Sequence, residues 1–179
     1  MRHGATKWNE INKLQGQTDI PLDENGVKMA QKAAGECSEV HFDICFCSPL
    51  ERAKQTADIV LRSRNVPIVY DDRLKEMSFG EYEGTKDYWN IPDSPIGVLF
   101  SRPEEYIRPV PGGESFDELF TRTGQFMEQV IEPLMKEGKD VLIVGHGVMN
   151  TCIICRLKNI PLRDFWSVGI KQCKLTRLI

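Results

Sequence analysis

The run VLIV at residues 141–144, between Asp140 and Gly145, constrains the fold more than any other stretch. A strand wetted on one side alternates apolar and polar residues. A strand apolar at every position needs cover on both faces, as in a parallel sheet. FDICFCS (42–48), VPIVY (66–70) and CKLTRLI (173–179) are short, β-branched or aromatic, and predict three further strands. Helical periods fall between them. Val27, Ala30, Ala33, Ala34 and Cys37 recur at three and four, as do Leu50, Ala53, Ala57, Val60 and Leu61. Strands alternating with helices predict an α/β domain with helices on both faces of the sheet, one domain over residues 1–179.

The sharpest helix start is Ser115 followed by Glu118, a capping-box pattern. It is followed by an apolar stripe of Phe116, Leu119, Phe120, Phe126, Met127 and Val130. Pro133 is expected to end or kink that helix. A shorter helix is expected through MNTCIICRL, just after Gly147. Residues 85–113 are rich in Pro, Gly, Asp and aromatics without a period, and read as a long, lid-like surface excursion.

Charge narrows the function. With 23 basic against 26 acidic residues the net charge is -3, which argues against general nucleic-acid binding but leaves room for a local positive pocket. No apolar run approaches the roughly 20 residues needed to cross a bilayer, and no secretory leader opens the chain. The six cysteines lie mostly in apolar segments, as expected of reduced, buried thiols in a cytoplasmic protein.

There are three histidines: His3, His41 and His146. Two precede a glycine, in RHG and GHG. The second directly follows VLIV, at the strand end where open α/β sheets bind ligands. The plain alternative for His3 is a frayed terminus, and for His146 a loop histidine satisfied by hydrogen bonds. His41 reads as an ordinary residue entering a strand. Arg52 falls in the first turn of a predicted helix opened by Ser48 and Pro49. A cation there opposes the helix dipole, and a bound anion would account for it; a solvated arginine is the plain alternative. Arg2, His3, Arg52 and His146 thus offer two guanidinium forks and two imidazoles at strand-to-helix junctions, a set suited to a phosphoryl group. No HExxH, cysteine–histidine metal spacing, GxxxxGK[ST] or GxGxxG is present.

RHGATKWN, LQGQTDIPLDENG, CSPLERAKQTA, LKEMSFGEYEG, PGGESFDELFTR and VLIVGHG, in that order, resemble the histidine phosphatase superfamily in its phosphoglycerate-mutase-like branch. The resemblance implies a three-layer α/β/α fold with a mostly parallel sheet. It implies His3 as nucleophile, Arg2, Arg52 and His146 as the phosphate pocket, and Glu76 as proton donor. Asn9, Gln15, Gly16 and the Gly147 backbone would line the substrate site, with no metal and no cofactor. Family members carry an apolar strand before RHG. Here only Met1 precedes Arg2, so the chain is expected to be short at its N-terminus or to have the gap filled by another segment or subunit.

The chemistry fits these roles. A phosphomonoester is nearly a dianion, and its oxygens must be neutralised before a nucleophile approaches. His3 must attack as a neutral imidazole, with its second N–H fixed by an acceptor near Gly4. In-line displacement needs an acid at the leaving oxygen. The residues alone do not choose among Glu76, Glu81 and Glu83; the motif selects Glu76. A bound dianion would favour its protonated form.

Hydrolysis and mutase transfer share this nucleophile and differ in solvent exclusion and substrate grip. FGEYEG and the short excursion resemble the phosphatase members, so the expected partner is a small phosphomonoester. Tyr88, Trp89 and Arg102 are candidate specificity contacts, and a homodimer is an admitted assembly. A non-catalytic phospholigand binder and a thiol-redox protein built on Cys152 and Cys155 are the rival classes.

Overall fold

A computed structural model describes residues 1–91, 94–107 and 109–178. Pro92 and Asp93 of the 85–113 segment, Arg108 and Ile179 lie outside the described residues.

The described strands are β1 (Ile44–Cys47), β2 (Ile68–Tyr70) and β3 (Val141–Val144), paired in parallel in the order β2-β1-β3. Cys45 stands opposite Ile68 on one side and Leu142 on the other. The N-terminal residues extend this sheet past β3. Met1 Nα donates to Ile143 O, Gly145 N to Met1 O and His3 N to Gly145 O. Arg2 bridges in parallel to both Gly145 and Gln172.

Side chains alternate across the sheet as the pleat requires. Cys45, Cys47, Leu142 and Val144 pack against Ala30 and Ala33 of α2 (Glu24–Glu36) and Ala53, Ala57 and Val60 of α3 (Glu51–Leu61). Phe46 turns the other way, toward Phe126 of α5 (Phe116–Phe126) and Val148, Met149 and Ile153 of α7 (Gly147–Lys158). Two helix layers enclose one parallel sheet, the predicted α/β arrangement. The small residues on α2 and α3 let those helices sit close to the sheet and to each other.

Local signals explain most boundaries. Thr6 caps α1 (Lys7–Glu10) and Asp23 caps α2. Ser115 and Glu118 form the reciprocal capping box at the start of α5. Pro133 does not stop the helical run. A π-turn over Met127–Ile131 precedes α6 (Glu132–Lys136), so the wider turn accommodates the missing N–H.

Two expectations are corrected. Residues 173–178 form no strand: Cys173 takes a left-handed φ of 51°, which ends the pairing after Gln172. The 85–113 segment carries helix α4 (Pro95–Ser101), whose Ile96 and Leu99 are fully buried. Ser94 caps that helix through Gly97 N–H; Ile96, Val98, Leu99 and Phe100 all pack on the core, so this seven-residue run is too short and too evenly apolar to show a helical period in the sequence.

Candidate active site

The carboxyl ends of β1 and β3 and the backbone at His3 converge on a cavity of about 480 Å³. Arg2, His3, Asn9, Gln15, Gly16, Arg52, Glu76 and Gly147 line it. His146 lies behind this lining, fully buried, with its ring centroid 5.2 Å from that of His3. Residues as far apart in sequence as Arg2 and Gly147 are therefore brought to one place.

His3 is 3% exposed, and its Nδ1 sits 2.6 Å from Gly4 O. A carbonyl can only accept, so Nδ1 carries the hydrogen and Nε2 keeps its lone pair. Gly4 is a glycine for a steric reason: a Cβ there would meet Gly26 O in the first turn of α2 at 2.6 Å. Gly4 N–H donates to Thr56 Oγ1 on α3, which ties the backbone beside His3 to the helix that carries Arg52. Burial, then the charges of Arg52 and Arg2, push His3 well below the ordinary histidine value of 6.5. It is neutral and nucleophilic at neutral pH.

Arg52 is the second residue of α3, in the first turn as expected, and 1% exposed. Ser48 is not the cap; α3 begins without a side-chain cap. Arg52 Nη1 donates to Thr18 O at 2.9 Å and Nη2 to Gly16 O at 2.6 Å. Burial lowers its pKa to about 10, against the raising effect of Glu76, Asp19 and Glu83, so it remains a cation. The loop that receives it is organised by Glu83. That carboxylate accepts from Gln17 N, Thr18 N, Thr18 Oγ1 and Phe79 N, at 2.5–3.1 Å. Gly16, at φ 57°, would drive a Cβ into Glu83 Oε1 at 2.1 Å, so no other residue fits there.

Arg2 reaches Ile170 O through Nη1 at 3.4 Å. Arg2 Nε, Arg52 Nε and His146 Nδ1 are cut off from solvent and have no hydrogen-bond partner. Three buried polar atoms in this state around one imidazole are costly, and an anion with several oxygens would satisfy them.

Glu76 is 8% exposed. Its Oε1 accepts from Met77 N (3.0 Å) and Met149 N (2.9 Å), and its Oε2 from Val148 N (3.1 Å). The carboxylate therefore caps α7, a task no side chain at His146 performs. Glu81 is exposed and Glu83 is committed to the 16–18 loop, which separates three glutamates that sequence alone could not rank. Asn9 Oδ1 accepts from Thr6 N at 3.2 Å, and Gln15 Oε1 from Thr6 Oγ1 at 2.9 Å.

Sequence reasoning missed a clamp beneath Glu76. Arg122 pairs with Glu114 at 2.5 Å, and its Nη1 and Nη2 donate to Arg73 O and Glu76 O. It also missed Ser48 as the partner of His146 Nε2 at 2.7 Å. The remaining cavity wall includes Tyr88, Phe100 and Trp166, with Lys13 and Lys171. Tyr88 was expected there. Trp89 and Arg102 are not in the wall; Trp89 is 47% exposed and Arg102 pairs with Glu105 outside it.

One grouping among the described residues could hold a metal: His41, Asp43 and Asp140, at the opposite ends of β1 and β3 from the cavity. Asp43 there already accepts from Asp140 N and Lys139 Nζ. All six cysteines are buried free thiols, and burial raises Cys152 to about 12 and Cys155 to about 11, which removes the basis for a thiol-redox reading. No helix among the described residues is long and apolar enough to cross a membrane.

The model of the histidine phosphatase superfamily (branch 1) matches residues 1–179. Phosphoserine phosphatase 1 of Hydrogenobacter thermophilus is 30% identical, over 94% of this chain and 79% of its own length. A 2,3-bisphosphoglycerate-dependent phosphoglycerate mutase of Cytophaga hutchinsonii is 31% identical, over 95% and 81%. Among solved structures, Bacillus stearothermophilus YhfR superposes with a TM-score of 0.84 at 32% identity, covering 96% of this chain and 84% of that one.

Proposed function

The chain belongs to branch 1 of the histidine phosphatase superfamily, and we propose that within it the protein is a phosphomonoesterase acting through a phosphohistidine on His3. The observation that carries this reading is the set of buried, unpartnered nitrogens, Arg2 Nε, Arg52 Nε and His146 Nδ1, around an imidazole whose Nε2 lone pair is free.

A substrate phosphate occupies this cradle, its charge offset by the two guanidiniums. No metal is required for that balance. Nε2 of His3 attacks phosphorus in line, the N–P bond forms and the P–O bond to the alcohol breaks. Glu76 gives its proton to the departing oxygen. Water then attacks phosphorus, Glu76 takes a proton from it, and the N–P bond breaks to release phosphate and restore His3. Asn9, Gln15, Gly16 and the Gly147 backbone hold the substrate.

A cavity of about 480 Å³ suits a small metabolite. Tyr88, Phe100 and Trp166 beside Lys13 and Lys171 favour an alcohol portion with apolar surface and a further negative charge. The buried thiols fit a reducing, cytoplasmic compartment, and the net charge of -3 fits the absence of nucleic acid.

A mutase reading is kept because one relative bears that name at 31% identity. A panel of phosphomonoesters, scored separately for free phosphate and for isomer formation, separates the two. Phosphate release lost in His3→Ala, with an acid-labile phosphoenzyme trapped in the wild type, supports hydrolysis. Isomer formation outpacing phosphate release overturns it in favour of the mutase. Binding of phosphate with neither product leaves a non-catalytic binder.

A further inference from the structure

Ser48 follows β1 and is fully buried. Its Oγ lies 2.7 Å from His146 Nε2 and accepts from Leu50 N–H at 3.3 Å. A serine hydroxyl has one hydrogen to give. Among the described residues no third group shares a hydrogen bond with this hydroxyl. If Nε2 carried the imidazole hydrogen, the serine would receive two N–H groups and its own hydrogen would be buried without an acceptor. The opposite arrangement leaves nothing unpaired at this contact: Ser48 O–H donates to Nε2, and the ring hydrogen resides on Nδ1. Nδ1 is the atom that has no hydrogen-bond partner among the described residues.

We propose that Ser48 is a positioning residue that holds His146 in its Nδ1–H tautomer, so that it meets a phosphate oxygen as a neutral hydrogen-bond donor. This rests on reading the cavity as a phosphate site. In the other tautomer, Nδ1 would turn a lone pair toward an anion and repel it. Burial, then the nearby Arg52, His3 and Arg2, keeps the ring from taking a second proton that would make the tautomer irrelevant. The two histidines then have the same tautomer and opposite tasks. His3 uses its hydrogen on Gly4 O and exposes a lone pair; His146 uses its lone pair on Ser48 and exposes a hydrogen.

Only three histidines are present, so ¹⁵N-labelled histidine and long-range proton–nitrogen spectra read the tautomers directly, with His41→Gln for assignment. The unliganded wild type at pH 7 is expected to show His146 neutral with the hydrogen on Nδ1. Ser48→Ala is expected to mix the tautomers and weaken inorganic phosphate and vanadate binding about tenfold or more; Ser48→Thr, which keeps the hydroxyl, is expected to restore both. A wild-type spectrum with the hydrogen on Nε2, or with both nitrogens protonated, overturns the proposal. So does a folded Ser48→Ala protein in which either quantity is unchanged. If Ser48→Ala does not fold, the wild-type spectrum still decides. A wild type with the Nδ1–H tautomer that binds neither anion overturns the phosphate-site reading and leaves the tautomer assignment standing.

Discussion

His3 and His146 face each other with ring centroids 5.2 Å apart and planes tilted by 56°, and each is anchored through the opposite ring nitrogen. His3 is held by Nδ1 on Gly4 O, His146 by Nε2 on Ser48 Oγ. One ring is thereby left with Nε2 free and the other with Nδ1 free, next to two guanidiniums that each keep an unpaired Nε. The site is asymmetric at the level of single atoms although both residues are buried histidines followed by glycine.

Arg52→Lys is expected to lower kcat/KM about 10²–10³-fold. Two of the three guanidinium nitrogens are spent on Thr18 O and Gly16 O, and the third is open. An ammonium gathers its three donors on one nitrogen and cannot span both carbonyls and an anion as the planar fork does. Steady-state kinetics on an aryl phosphate checks this; a loss below tenfold would place Arg52 outside the cradle.

Glu76→Gln is expected to depend on the leaving group. Removing a general acid costs about 10²–10⁴-fold when the departing oxygen needs a proton. With an alkyl phosphate the full loss should appear, and with an activated aryl phosphate, which leaves as a stable anion, much less. Equal losses on both substrates would reduce Glu76 to its cap on Val148 and Met149.

Arg122→Met and Glu114→Leu together are expected to be tolerated better than either change alone. Breaking this part-buried pair from one side strands a charge, at a cost below the roughly 3–5 kcal/mol of a fully buried pair. The double variant should regain much of that stability. Its kcat should still be reduced, since Arg122 no longer holds Arg73 O and Glu76 O, the carbonyls flanking the Glu76 turn. Urea midpoints and turnover measured side by side separate the effects; wild-type kcat in the double variant would make the clamp purely structural.

Stability is expected to fall as pH drops below 6.5. His3 and His146 are held well below 6.5 in the folded protein, chiefly by burial, while in the unfolded chain they titrate near it. The unfolded state therefore binds more protons in the window between the folded values and 6.5. Each histidine removes up to about 1.4 kcal/mol per pH unit through that window. Denaturant midpoints at pH 7 and 5, compared with a His3→Gln, His146→Gln protein, test the sign. An equal or steeper decline in the variant would refute it.

Lys13→Ala with Lys171→Ala is expected to lower kcat/KM for a substrate with a second anionic group about tenfold, while an aryl phosphate whose aryl group is uncharged is little affected. An equal loss on both would mean the lysines act on the common phosphate, and the wall they share with Phe100 and Trp166 would not set specificity.

Much of this was readable from local patterns. VLIV required cover on both faces, and the strands β1, β2 and β3, α2, α3 and the capped start of α5 follow from periodicity and caps that act within a few residues. Residues whose character depends on distant neighbours were not readable. CKLTRLI has a strand's composition, but the turn at Cys173 ends its pairing. Ile96, Val98, Leu99 and Phe100 pack a helix of seven residues that is too short and too evenly apolar to show a period.

The same division runs through the site. Residue types and order singled out Arg2, His3, Arg52 and His146, because forks and imidazoles at strand ends are chemically uncommon and the motifs that contain them are contiguous. The family motif selected Glu76 over Glu83, but the physical difference between the two appears only in the tertiary structure. One carboxylate meets the N-terminus of α7 and the other the 16–18 loop, and nothing within seven residues of chain distinguishes them. The hydrogen on each imidazole likewise depends on a partner that only folding supplies: one residue away for His3, 98 away for His146. Hydrogen-bond direction is a property of pairs, so a linear order of residues specifies the groups and leaves their pairing to the fold.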